Sequence, residues 1–141
     1  MVACTDKSPS GQIKLMQERA EAVEHQVEEL YNQDFNYLVN EYKALEELSK
    51  TKDIDDEMEL LQAYLQQFET QRVVIKENVE FSKKQLSDLK YDIDKNLYNK
   101  ETTEQYIQDE EKALHIMEAQ IKYFQEKFDA QKEVVKQLRK E

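Results

Sequence analysis

From Ile13 onward, apolar residues recur at steps of three and four: Ile13, Met16, Ala20, Val23, Val27, then Leu30 and Tyr31, Phe35, Leu38, Tyr42, Leu45 and Leu48. That spacing keeps returning to one side of an α-helix and leaves the intervening Glu, Gln and Lys on the other. Two successive steps of four, Val27-Tyr31-Phe35, interrupt the alternation as a coiled-coil stutter does. The stripe resumes at Ile54, Met58, Leu61, Leu65 and Phe68 and continues through Arg72, Ile75, Val79, Ser82, Leu86, Leu89, Ile93 and Leu97. A third run, Ile107, Glu110, Leu114, Met117, Ile121, Phe124, Phe128, Gln131, Val135 and Leu138, is an almost unbroken heptad series.

Two polar stretches separate the runs. Ser49 to Glu57 combines poor helix formers with acids that favour the start of a helix through its dipole, which places a turn near Lys52. Around Lys100 a second turn is expected, with Thr102 and Gln105 at the spacing of a capping box for the third helix. Helices are therefore expected over about 11–50, 54–98 and 103–140, each ~40 residues and ~60 Å long at the α-helical rise. No single stripe can be buried alone, and short connections set neighbours side by side. The expected fold is all-α, an elongated antiparallel three-helix coiled-coil bundle running up-down-up. A helical hairpin or extended rod that completes its core as a homo-oligomer is the alternative.

Glycine and proline sharpen this picture. The only Pro (Pro9), the only Gly (Gly11) and the only Cys (Cys4) of the 141 residues all lie in the first eleven, so the usual helix breakers are missing from the rest. Residues 1–11 read as a flexible leader and residues 12–141 as one helical domain.

Charge narrows the partners. Charged residues make up 36% and the formal net charge is −11, which disfavours phosphate backbones and anionic lipid surfaces, so nucleic acid is not an expected partner. Residues 11–50 are the most acidic, with four basic and nine acidic side chains. A solvated face that resists self-association is the ordinary meaning of that excess; a basic partner or divalent cation is the sharper one.

The search for chemistry finds little. Bundles with buried di-metal sites use Glu-x-x-His, but Ala22 stands three before His25 and Lys112 three before His115. Glu21-His25-Glu29 and Glu111-His115 have the spacing of a loose surface metal site, which a solvated polar face explains equally well. A single thiol without a neighbouring histidine is no activated nucleophile. The expectation is a non-enzymatic protein with no catalytic residues, no cofactor and no metal.

Polar residues on the stripes suggest one structural device. Arg72 and Gln131 fall at similar heights if the turns are as placed, and Asp34 or Asp129 could reach the guanidinium, giving a polar layer that fixes register. The simpler reading is that Arg72 covers the seam with its stem. Among eight tyrosines, Tyr31 and Tyr42 lie on the stripe. Tyr37, Tyr91 and Tyr123 lie off it and are the candidate contact residues for a protein or glycan ligand.

The opening residues Met1-Val2-Ala3-Cys4 resemble the end of a bacterial lipobox. That resemblance implies a bacterial lipoprotein in which Cys4 becomes the lipid-bearing N-terminus and Thr5-Asp6-Lys7-Ser8-Pro9-Ser10-Gly11 the polar tether to the body. It also implies membrane attachment through the N-terminal lipid only. With Thr5 after the Cys, it points to an outer-membrane location facing the periplasm or the surface. The body is similar in form to small helical envelope lipoproteins, including cell-wall-binding ones. A lipid-anchored spacer, scaffold or binding protein of the cell envelope, with a protein or wall polymer as partner, is the leading expectation. A cytosolic coiled-coil adaptor or assembly factor that binds partner helices is the second.

Overall fold

The structure, a computed structural model, describes residues 7–140. Those residues are helical apart from short turns, with no strand among them: α1 (Pro9–Glu29), a π-helical turn (Leu30–Phe35), α2 (Asn36–Leu48), α3 (Asp55–Asp94) and α4 (Lys100–Lys140). The all-α class follows from the three stripes, and three helical arms pack together: α1 with the π turn and α2, then α3, then α4.

The start of α1 corrects the expected boundary. Pro9 takes the first helical position, where its missing N–H removes no hydrogen bond. Ser8 caps the turn, its Oγ accepting the Gly11 N–H at 3.1 Å while its carbonyl accepts the Gln12 N–H at 2.9 Å. Pro9 and Gly11, read from sequence as tether, thus form the first turn of the helix, and Gly11 is buried there. Cys4 and the leader through Asp6 lie outside the described residues.

The stutter becomes the π turn. At 100° per residue, two steps of four carry Phe35 about 80° past Val27 around a regular helix. Between Leu30 and Phe35 the backbone widens instead, and the Asn36 N–H reaches the Tyr31 carbonyl five residues back. The wider turn leaves adjacent Leu30 and Tyr31, together with Phe35, all buried.

The helix ends show how local chemistry sets each boundary. α3 stops at Asp94, not 98, because Asn96 adopts the left-handed conformation (φ 56°). The Asn96 N–H then bonds the Ile93 carbonyl and the Leu97 N–H the Asp92 carbonyl, each at 3.0 Å, which is a Schellman motif with Asn at its left-handed position. Leu97, expected on the stripe, is turned out and 60% exposed. α4 begins at Lys100, three residues earlier than expected. Asn99 is its cap, Oδ1 accepting the Thr102 N–H at 2.8 Å, so the Thr102/Gln105 box is not used. At the other turn, Asp55, Asp56 and Glu57 open α3 as the dipole argument requires. Lys52 Nζ donates to the Leu138 carbonyl at 3.2 Å, satisfying an acceptor in the last turn of α4.

The chain divides into two compact units, one built from residues up to 25 with 76–119, the other from 26–75 with residues from 120 onward. The first has a slim aliphatic core: Ile13, Met16, Ala20 and Val23 from α1, Val79, Leu86 and Leu89 from α3, Leu114 and Met117 from α4. Ser82, buried among them, places its Oγ 3.9 Å from Met117 Sδ. The second unit is built on aromatics. Phe68 lies 4.2 Å from Phe128 and 6.1 Å from Phe124 between ring centroids, and Tyr31 meets Phe128 edge-on at 5.6 Å.

Candidate functional surfaces

Within the second unit, the region expected to hold a polar layer is organised differently. The Tyr31 hydroxyl donates to the main-chain carbonyl of Phe68 at 2.6 Å, and the Arg72 guanidinium stands 5.2 Å from the centre of the Tyr31 ring. Arg72 is half-buried and engages that ring, with no ion pair to a carboxylate among the described residues. Asp34, the acid proposed for it, is ion-paired with Lys132 and accepts Gln125 Nε2 at 3.0 Å; Asp129 also accepts Gln125. Gln131 is buried in the same unit, and no hydrogen bond joins it to Arg72. Burial pushes the Tyr31 phenol up to about 12, Glu69 adding to the effect and Arg72 opposing it.

The three off-stripe tyrosines are exposed, each with an ammonium over its ring. Lys132 Nζ lies 5.9 Å from the centre of Tyr37, Lys95 5.6 Å from Tyr91, and Lys127 5.3 Å from Tyr123. Tyr37 and Tyr123 belong to the second unit and Tyr91 to the first, so no single unit gathers all three.

In the first unit the charged groups form a cluster that the sequence search missed. Arg19 Nη1 meets Glu111 and Nη2 meets Glu118, each at 2.6 Å, with Nε donating to Glu118 at 3.2 Å. The hydrogen bonds to Glu118 and Glu111 raise the Arg19 pKa, and the same fork holds the Glu118 carboxyl below its usual range. Glu111 is therefore engaged by Arg19 and not reserved for His115. The signal was present: Arg19 directly precedes a stripe position, Glu111 and Glu118 directly follow two others one heptad apart, and such flanking positions pair across helices. Lys83 reaches Glu24 at 3.3 Å in the same way between α3 and α1. Burial raises the pKa of Glu110, the acid on the α4 stripe, with Asp109 adding to it.

Concavities among the described residues include two in this unit. One, of about 460 Å³, is bounded by Lys7, Pro9 and Gln12, the turn at Asn96 and Tyr98, and the first turns of α4. Tyr98 donates to Asp92 at 2.8 Å beside it, which raises the Tyr98 pKa. The other, of about 670 Å³, runs between α1 and α4 over Leu15, Met16, Ala22 and Ile107, beside the Arg19 cluster. The walls of the first carry Lys7, Lys100 and Glu104 among amide, hydroxyl and apolar groups, and those of the second carry Glu18, Arg19 and Glu111. Among the described residues, no three His, Cys, Asp or Glu side chains converge as metal ligands, and no helix is long and apolar enough to cross a membrane.

These features define an all-helical protein over the described residues. No family model, curated protein or solved structure matches the chain.

Proposed function

We propose that the chain is a non-enzymatic, lipid-anchored helical spacer or binding protein of a bacterial cell envelope, with its helices arranged up-down-up. The observation that carries the reading is the order of parts at the N-terminus: the lipobox-like Val2-Ala3-Cys4, then a polar stretch, then a helix capped at Ser8. An acylated cysteine needs slack between itself and a folded body, and a firmly capped helix gives the anchor a defined point of attachment. Cys4 is the lipid site, and Tyr37, Tyr91 and Tyr123 are the contact residues for a protein or wall polymer.

Short turns of 49–54 and 95–99 support the up-down-up arrangement. So do the second-unit pairs Asp34–Lys132 and Glu41–Arg139, which keep one sequence separation of 98 residues, as parallel segments do.

Metabolic labelling of bacteria expressing the gene's complete reading frame, with an alkyne-tagged fatty acid, tests the anchor. The wild-type protein should take up label and fractionate with membranes, and Cys4→Ala should lose both properties. Label retained by the variant, or a wild-type protein that remains unlabelled, refutes the reading.

A further inference from the structure

In the first unit, two of the three helix–helix seams are closed by charge. Arg19 with Glu111 and Glu118 closes α1 against α4, and Glu24 with Lys83 closes α1 against α3. The third seam, α3 against α4, has the Ser82–Met117 contact at its floor and no ion pair crossing it among the described residues. Helix geometry tells which side chains flank it. On α3, Lys83 directly follows buried Ser82 and faces α1, so the residues directly preceding buried Val79 and Leu86, Asn78 and Gln85, flank α4. On α4, Glu118 directly follows Met117 and faces α1, so Ala113, directly before Leu114, flanks α3. Beyond this uncharged flank stand Phe81 and Ile116, 63% and 60% exposed, one residue ahead of Ser82 and Met117 and on the same side of the seam. Asp88, one residue ahead of buried Leu89, and Asp109, one ahead of Glu110, bound this strip toward the turn at Asn96; short of them, in a chain with 36% charged residues, the outer groove consists of amides, alanine, phenylalanine and isoleucine.

We propose that this groove is the contact between two copies of the chain, packed about a two-fold axis at Phe81. The charges around it argue for a second copy. Glu77 lies four residues before Phe81 and Lys84 three after, all on one helical face, and neither makes an ion pair among the described residues. An axis through Phe81 sets α3 antiparallel to its counterpart, with Glu77 of each copy opposite Lys84 of the other. Two symmetric ion pairs then bracket a Phe81–Phe81 contact, the self-complementarity that an isologous interface requires. A copy carrying −11 meets its twin with least repulsion across an uncharged strip.

Sedimentation equilibrium of the full chain tests the proposal. The wild type should show twice the 16.9 kDa chain mass at high concentration. Glu77→Lys and Lys84→Glu, both exposed, should keep the wild-type circular dichroism while each raises the dimer dissociation constant about tenfold or more, because like charges now meet. Mixed in equal amounts, the two variants should recover the dimer, since two lysines on one copy then face two glutamates on the other. A monomeric wild type, which would leave the groove to a foreign helix, overturns the proposal. So does a dimer indifferent to both reversals, or a mixture no tighter than its components.

Discussion

Tyr31 carries more roles than its stripe position announced. Its ring fills the second-unit core, its hydroxyl bonds the Phe68 carbonyl, and its face receives Arg72. Tyr31→Phe keeps the ring and removes one buried neutral hydrogen bond, which costs about 1 kcal/mol in urea unfolding. The phenol also ties stability to pH. Its folded pKa, about 12, lies above the ordinary 10, so the folded state holds the proton more tightly. The resulting stability is complete below pH 10 and drains away as pH rises toward 12. Wild type should lose stability across that window more steeply than Tyr31→Phe; superimposable profiles would disprove the coupling. Glu118 has the opposite sign. Arg19 depresses its folded pKa, so its contribution is present above the ordinary carboxylate pKa and disappears as pH falls through the depressed value. Glu118→Gln should accordingly flatten the acid limb of the stability curve, while an unchanged limb would show that the fork is fully screened. The sequence placed Arg72 and Asp34 near each other in height but could not decide their partners. Lys132 and Gln125 compete for that carboxylate, and only side-chain geometry settles such a contest.

Elements were far more legible than their ends. The three stripes gave all three arms because burial of one helical face is a cooperative signal spread over dozens of residues. Boundaries rest on one or two residues, and there the reading slipped: Asn99 and Thr102 are both competent caps, and the left-handed Asn96, invisible to periodicity, chose Asn99. The stutter was legible as a phase error but its remedy was not, since supercoil unwinding and a π turn both absorb it. The π turn yields a sharp expectation. Removing exposed Asn32 takes out the extra residue, turning the Val27-Leu30-Phe35 steps of three and five into three and four and so restoring the three-four alternation, so helicity should persist with stability within about 1 kcal/mol of wild type. Removing exposed Glu21, in regular α1, instead rotates every preceding apolar residue by 100° relative to the core and should cost several-fold more. Thermal melts of the two deletions decide it, and equal losses would mean the π turn is no reservoir of slack.

Considered as a whole molecule, the chain has two differently built cores threaded by the same helices. Broad Phe and Tyr rings fill the second unit, whereas Ala20, Val23, Val79 and Ser82 leave the first with less apolar surface per turn. Native-state hydrogen exchange should therefore find its slowest amides around Phe68 in α3, with faster exchange around Ser82; reversed or uniform protection would contradict this. Composition foretold a lean core and the absence of breakers foretold long helices, but neither could apportion aromatic and aliphatic side chains between two units. Nor could the charge total reveal that, among the described residues, ion pairs close two seams of the first unit and none crosses the third.

One small contact also bears on mechanics. Ser10 donates to Asp94, the last residue of α3, which Lys90 also holds, and this bond keeps the Asp94 carboxyl below its ordinary pKa. Tension applied at Lys7 would enter α1 through its capped first turn and pass sideways into the end of α3 at once. Two helices would share the load in shear, so the first turn should resist being unzipped residue by residue.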